Sequence, residues 1–128
     1  MQWQFGPEGQ AAGHVRREAV RWLTQQGVGP LDDTAVVIAE LLANAVRVAR
    51  HRVCLDVSRV DGRILISVTD DGPGFGSLPL PVLPPLEAEG SRGLYLVRTL
   101  SADFAVDRAE TGTTVHCSLP VSALAAPA

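Results

Sequence analysis

The chain has 128 residues, of which 46% are hydrophobic and 20% are charged, and its formal net charge is −3. This size and composition predict one globular domain over residues 1–119, followed by a disordered tail over residues 120–128. No apolar run is long enough to cross a membrane, the N-terminus lacks the pattern of a signal peptide, and the slight acidity gives no general attraction to nucleic acid. We therefore expect a cytoplasmic protein that binds neither nucleic acid nor membranes directly.

All 11 cationic residues are arginines, and the sequence contains no lysine. A P-loop and a Schiff-base site are therefore excluded, so bound phosphate would have to be held by arginine, backbone amides or a metal. Cys54 and Cys117 stand singly in apolar strand patterns, which favours buried reduced thiols over a disulfide or a zinc site. The three histidines form no spaced cluster, which argues against a histidine metal centre.

The first part of the chain is predicted to form a strand and two helices. Trp3 and Phe5 alternate with polar residues, as in a strand with one buried face. Apolar residues then recur at helical spacing over residues 8–26, and Gly27 provides the C-terminal cap. A second helix over about residues 32–49 starts with two aspartates, which can cap its first turn.

The rest of the chain is predicted to form two hairpins with a helix between them. Asp61-Gly62 is a two-residue turn signal for the first hairpin, and a proline-rich segment over residues 76–90 is predicted to be a functional lid. The predicted elements are strands over residues 52–60, 63–70, 104–108 and 113–119 and a third helix that starts near Gly93. This order predicts an α+β fold of two layers, with the helices on one face of a mixed, mainly antiparallel sheet.

Three stretches carry polar residues where a nucleotide site would need them. Asp70 leaves a strand and enters a glycine-rich bend, D-x-G-x-G, where a ligand can approach bare backbone. Glu40 and Asn44 stand about one turn apart on the same face of the second helix. Residues 90–97 form a glycine-rich loop that opens a helix, whose first free amides can receive phosphate. Each stretch alone is also typical of an ordinary turn or helix end, but the three in this order indicate a nucleotide site.

In these stretches the chain resembles the GHKL ATPase superfamily, which is named for gyrase, Hsp90, histidine kinases and MutL. It is most similar to the anti-sigma-factor serine kinases of the RsbW and SpoIIAB type and to their actinobacterial relatives, over about residues 15–119. The resemblance implies the Bergerat-type ATP-binding fold, with ATP and Mg2+ as cofactors and the nucleotide between the helices and the lid.

The resemblance places the adenine end of the site on the sheet. Asp70 matches the aspartate that accepts the adenine amino hydrogen, and Gly72 and Gly74 match glycines that let the base and ribose approach the backbone. Thr113 matches the threonine that supports the adenine contact, with Thr114 as the weaker candidate. Thr113 is equally well explained as a β-branched strand residue.

The resemblance places the phosphate and metal end on the helices. Asn44 matches the magnesium-binding asparagine, and Glu40 matches the catalytic glutamate that would orient and deprotonate a hydroxyl acceptor. The other expected nucleotide contacts come from Arg47, Arg92, Gly93 and Leu94. For Arg92, a solvated arginine of the lid is the alternative interpretation.

Three features depart from the pattern of the family. Val48 stands where many relatives have a histidine or lysine near the phosphates, which predicts lower affinity or turnover. Ser91 replaces a glycine of the loop and restricts it. The lid is short and proline-rich, which predicts a stiffer segment.

The leading hypothesis is an ATP-dependent protein serine/threonine kinase of the anti-sigma type, which binds a sigma factor or an anti-sigma antagonist and phosphorylates the antagonist. One alternative is a non-catalytic interaction module controlled by ATP or ADP, which Val48 favours. The other is the catalytic domain of a split histidine kinase, although the helical His14 is expected to be a surface residue because no phosphoacceptor hairpin surrounds it. By analogy with relatives, the protein could form a homodimer.

Overall fold

Three helices pack on one face of a five-stranded sheet in the computed structural model, which describes residues 1–72 and 91–123 and, for residues 91–94 and 123, the backbone alone. In chain order the elements are β1 (Gln2–Phe5), α1 (Gly9–Gln25), β2 (Val28–Gly29), α2 (Asp32–Val48), β3 (Val53–Val60), β4 (Arg63–Asp70), α3 (Ser91–Leu100), β5 (Asp103–Ala109), β6 (Gly112–Pro120) and β7 (Ser122–Ala123). Within the described residues, none of the helices has the length and apolarity needed to cross a membrane.

The main sheet has the strand order β1-β3-β4-β6-β5, and every described pairing in it is antiparallel. The predicted α+β fold with helices on one face is thus confirmed, although the described sheet is antiparallel throughout rather than mixed. The strands β2 and β7 form a separate two-stranded ribbon.

The core lies between the sheet and the helices. Alternate residues of the central strands face it, because side chains of a strand point to opposite faces in turn. The buried residues on this face are Val53, Leu55, Val57, Ile64, Ile66, Val68, Val115, Cys117 and Leu119. The middle helix, α2, contacts α1, α3, β3 and β4, so its position relative to the sheet is fixed from three sides.

The opposite face of the sheet carries polar side chains that pair across the strands. The hydroxyl of Ser67 and Nδ1 of His116 lie 2.9 Å apart, and Nε2 of His116 lies 2.9 Å from a carboxylate oxygen of Asp107. The hydroxyls of Thr69 and Thr114 also lie 2.9 Å apart. Thr114 therefore belongs to the face away from the helices.

Several residues predicted to end or begin secondary-structure elements do so in the structure, and two predicted boundaries differ from it. Gly27 ends α1 with a φ of +72°, and Asp61 occupies the hairpin turn with a φ of 54°. The two aspartates at the start of α2 lie within its first turn, where they complement the helix dipole, and no side chain of the described residues caps its N-terminus. The third helix begins at Ser91, two residues before the predicted start.

The chain continues in regular structure beyond the predicted end of the domain. β6 reaches Pro120, and Ser122 and Ala123 pair with Gly29 and Val28. The amide of Val121 also donates to the carbonyl of Gly62 at 2.8 Å. The predicted tail thus starts with a paired strand, whereas residues 124–128 lie outside the described part of the chain.

Candidate functional site

Two strands bring Asp70 and Thr113 side by side. They are register partners at the ends of β4 and β6, and both belong to the face of the sheet that is turned toward the helices. Asp70 is 6% exposed and Thr113 is 3% exposed. A charged group and a hydroxyl thus share a buried position at the end of the core, where each needs a polar partner.

The carboxylate of Asp70 accepts a hydrogen bond from its own loop. Its Oδ1 accepts the amide hydrogen of Gly72 at 2.9 Å. Burial raises the pKa of Asp70, the Gly72 amide opposes this, and the neighbouring Asp71 carboxylate adds to the increase. A buried acceptor of this kind suits a ligand that can donate a hydrogen bond.

Thr113 carries a polar atom that is unsatisfied in the described structure. Its Oγ1 is buried and has no hydrogen-bond partner among the described residues. An unsatisfied buried hydroxyl costs about 1–3 kcal/mol, so a partner from a ligand or a water would recover free energy at this position. The orphan hydroxyl therefore favours the ligand-binding interpretation of Thr113 over the purely structural one.

Two glycines let backbone segments close around Asp70. A Cβ on Gly72 would lie 2.1 Å from the carbonyl oxygen of Val48, at the end of α2. A Cβ on Gly112 would lie 1.9 Å from the carbonyl oxygen of Asp70, and Gly112 has a φ of +153°. Gly72 is therefore required first for the contact with α2, a reason that the motif alone does not reveal.

Asp71 occupies the variable position after Asp70 in the D-x-G-x-G motif, and the sequence pattern assigns it no role. Its Oδ1 accepts amide hydrogens from Arg50, His51 and Arg52 at 2.8, 2.9 and 3.1 Å. We call this arrangement the Asp71 clamp. The amide hydrogen bonds, that of His51 first, lower the pKa of Asp71 to about 2. Because the partners are backbone amides about 20 residues away in sequence, no local pattern could have indicated them.

The helix α2 presents the predicted phosphate and metal side chains. Glu40 and Asn44 are half-buried, and Arg47 is exposed and donates to Oδ1 of Asn44. Within the described residues, no group of three or more His, Cys, Asp or Glu side chains is placed to hold a metal ion. For a metal to bind the amide oxygen of Asn44, Arg47 would have to release that oxygen.

Of the remaining predicted site residues, the structure describes only some. Gly93 and Leu94 lie with Arg92 in the first turn of α3, whose first amides have no partner within the helix, but their side chains are not described. Gly74 and the predicted lid lie outside the described residues. His14 is on the surface of α1, with its Nε2 2.9 Å from a carboxylate oxygen of Glu18.

Comparison with known proteins identifies the type of domain. Residues 6–119 match the family model of the histidine kinase-like ATPase domain. No curated protein sequence matches the chain.

Several solved structures are similar to the chain. The histidine kinase domain of the blue-light-activated histidine kinase EL346 from Erythrobacter litoralis is 29% identical, with a TM-score of 0.53, over 69% of this chain and 43% of that chain. ShkA in complex with AMPPNP is 27% identical, with a TM-score of 0.56, over 75% of this chain and 23% of that chain.

A further structure matches more of the fold. The RsbU and RsbW domains of Rv1364c from Mycobacterium tuberculosis give a TM-score of 0.65 at 20% identity, over 94% of this chain and 32% of that chain. At this identity the match shows the fold alone. The chain spans less than half the length of each of these three proteins.

Proposed function

This chain belongs to the histidine kinase-like ATPase domain family, and from that premise we propose that it binds ATP and acts as a protein serine/threonine kinase of the anti-sigma type. The observation that carries the ATP proposal is the buried pair of Asp70 and Thr113, in which the Thr113 hydroxyl has no partner within the described part of the chain. The AMPPNP bound in ShkA, a structure 27% identical to this chain, supports the choice of nucleotide.

Asp70 and Thr113 would recognise adenine. The Asp70 carboxylate would accept a hydrogen from the adenine amino group, and the Thr113 hydroxyl would gain its missing partner directly or through a water. Guanine presents a carbonyl at the position of the amino group, which would set two acceptors against each other. The pair therefore predicts selection of adenine over guanine nucleotides.

The helices would hold the phosphates. Asn44 would provide an amide oxygen to Mg2+, while Arg47 and the first amides of α3 would contact phosphate oxygens. When bound, Mg2+ would neutralise part of the phosphate charge. Support for this comes from the half-buried Asn44 and the exposed Arg47, which lie about one turn apart on α2 and contact each other.

Glu40, one turn before Asn44, would be the catalytic base. It would accept the proton of a serine or threonine hydroxyl, whose oxygen then bonds to the γ-phosphorus as the bond to the bridging oxygen of ADP breaks. By the resemblance of the motifs, the acceptor would be an anti-sigma antagonist, and a sigma factor would be the other partner. A homodimer remains part of this hypothesis by analogy.

A histidine kinase function is the second candidate, because a histidine kinase domain is 29% identical to this chain. In that case the acceptor would be a histidine on a separate helix. A non-catalytic module controlled by ATP or ADP is the third candidate, and the contact of Arg47 with Asn44 favours it because the proposed metal ligand is already occupied.

The experiment uses γ-labelled ATP and purified candidate acceptors, namely antagonist proteins with an exposed serine and isolated histidine kinase phosphoacceptor hairpins. The serine/threonine proposal predicts label that survives acid on an antagonist protein. Acid-labile label on a hairpin would establish the histidine kinase alternative, and tight nucleotide binding without any label would establish the interaction module.

A pair of variants tests the role of Glu40. Glu40→Gln should bind Mg-ATP within about twofold of the wild type but lose phosphoryl transfer by about 100-fold or more, in the range of general-base removal. The matched control is Glu110→Gln, at an exposed hairpin position, which should change neither quantity. Transfer by Glu40→Gln at the wild-type rate would exclude Glu40 as the base.

A further inference from the structure

The residues directly after Asp70 are attached to the end of α2 by two independent contacts. The Asp71 clamp binds three consecutive amides of the segment that follows α2. The backbone of Gly72 passes so close to the Val48 carbonyl that a Cβ would lie 2.1 Å from its oxygen. Consecutive amides that converge on one carboxylate form an anion nest, here with an anion supplied by the chain itself.

This attachment joins the two ends of the candidate site. Asp70, at the end of β4, belongs to the adenine end, while Asn44 lies one turn before Val48 on the same helix that the clamp holds. The clamp residues are 19 to 21 positions apart in sequence and directly follow the last pair of the β3–β4 ladder, Val53 with Asp70. The packing of α2 on β3 and β4 orients the helix body, and the clamp binds the segment that directly follows its last turn.

We propose that Asp71 is a positioning residue that holds the Asn44 end of α2 against the Asp70 strand, so that a single Mg-nucleotide can contact both. The inference rests on the proposed binding of ATP and Mg2+. A ligand that contacts two elements binds more tightly when their relative position is already fixed, because less ordering is needed on binding. Asp71 therefore acts through α2 and not by touching the nucleotide.

Substitution of Asp71 is predicted to reduce the affinity for Mg-ATP more than the affinity for ATP without magnesium. ATP in EDTA depends on the adenine end and on α3, whereas Mg-ATP also depends on Asn44. Asp71→Ala should weaken the binding of Mg-ATP by about tenfold, which corresponds to about 1.4 kcal/mol of binding free energy. The same variant should weaken the binding of ATP in EDTA by less than about threefold. Asp71→Asn keeps one acceptor oxygen for the amides, so it should restore part of the loss.

The experiment measures the dissociation constants of ATP in Mg2+ and in EDTA for wild type, Asp71→Ala, Asp71→Asn and Asp103→Ala. Asp103 is the matched control, because its carboxylate accepts hydrogen bonds from Arg63 at 2.7 Å and Ser118 at 2.9 Å but lies on the strand at the far edge of the sheet. Asp103→Ala should keep the wild-type ratio of the two constants.

Amide hydrogen exchange of the unliganded protein provides a second readout. In Asp71→Ala, exchange should become faster at residues 50–52 and in the last turn of α2, while the strands stay protected. If Asp71→Ala weakened the binding of ATP equally in Mg2+ and in EDTA, or kept the wild-type ratio of the two dissociation constants, the positioning role would be overturned. The proposed ATP site would remain intact. A wild-type ratio of one would instead refute the magnesium role in the proposed function, and the inference would fall with it.

Discussion

At the scale of single residues, the site is defined by two buried polar groups, Asp70 and Thr113, on neighbouring strands. Asp70 is buried, with its pKa raised by desolvation, and the hydroxyl of Thr113 has no hydrogen-bond partner among the residues that the structure describes. Both features reduce the stability of the empty protein and are expected where a ligand supplies the missing partners.

Asp70→Asn should therefore stabilise the unliganded protein at neutral pH while it removes ATP binding. The folded pKa of Asp70 is raised, so the ionised carboxylate costs stability above that pKa, and the cost disappears as the pH falls below the ordinary value for aspartate. Thermal melts should show a higher Tm for the variant at pH 7 and converging Tm values in acid. A lower Tm for the variant at pH 7 would contradict the account.

Thr113→Val should also increase the stability of the protein and decrease its affinity for ATP. Removing an unsatisfied buried hydroxyl should raise the free energy of unfolding by about 1 kcal/mol and weaken ATP about tenfold. Thr114→Val is the matched control on the opposite face, where it breaks the bond to Thr69 and should cost about 0.5–1.5 kcal/mol without altering ATP affinity. Denaturant unfolding and ATP titration measure the two effects. Loss of affinity in the Thr114 variant alone would reverse the assignment.

At the scale of elements, the position of α2 relative to the end of β4 decides whether the site can form. Gly72 and the Asp71 clamp both act at this junction. The junction explains why the bend after Asp70 needs a glycine even before any nucleotide is considered.

Gly72→Ala should destabilise the protein by about 2–3 kcal/mol, because its Cβ would overlap the Val48 carbonyl, and neither backbone can move without strain. Gly13→Ala is the control within α1, where the nearest atom would be the flexible Arg17 guanidinium at 3.5 Å. That variant should gain about 0.5–1 kcal/mol from helix propensity. Chemical denaturation of both variants provides the measurement, and equal stability of Gly72→Ala and wild type would disprove the close approach.

The Asp71 clamp should make the protein sensitive to strong acid. Its amide hydrogen bonds lower the folded pKa to about 2, so the stabilisation is present above the ordinary aspartate pKa and is lost as the pH falls through about 2. Thermal melts between pH 5 and pH 2 should show a shallower decline for Asp71→Asn than for the wild type. Parallel declines would mean that another carboxylate governs the acid transition.

At the scale of the whole molecule, the features that the sequence predicts are those determined by neighbouring residues along the chain. Gly27 and the Asp61-Gly62 turn mark their boundaries because each acts on neighbouring backbone, and alternation identifies the buried faces of β3, β4 and β6. The position of Asp70 at the end of β4 also follows from this alternation.

What the sequence could not predict depends on contacts between distant segments. The pairing of β7 with β2 involves only two residues on each strand, too few for a periodic pattern. The groups that donate to Asp71 are backbone amides, so the residue types in that segment do not indicate the contact. The surroundings of the Thr113 hydroxyl depend on the register of β4 with β6. Such features emerge only when the sheet and α2 are assembled.

The most direct test of the central claim is a calorimetric titration of Mg-ATP into the wild type, Asp70→Asn and Asn44→Ala. We predict binding by the wild type, its abolition in Asp70→Asn, and weaker, magnesium-independent binding by Asn44→Ala. No binding by the wild type, or equal binding by wild type and Asp70→Asn, would contradict the proposed adenine site.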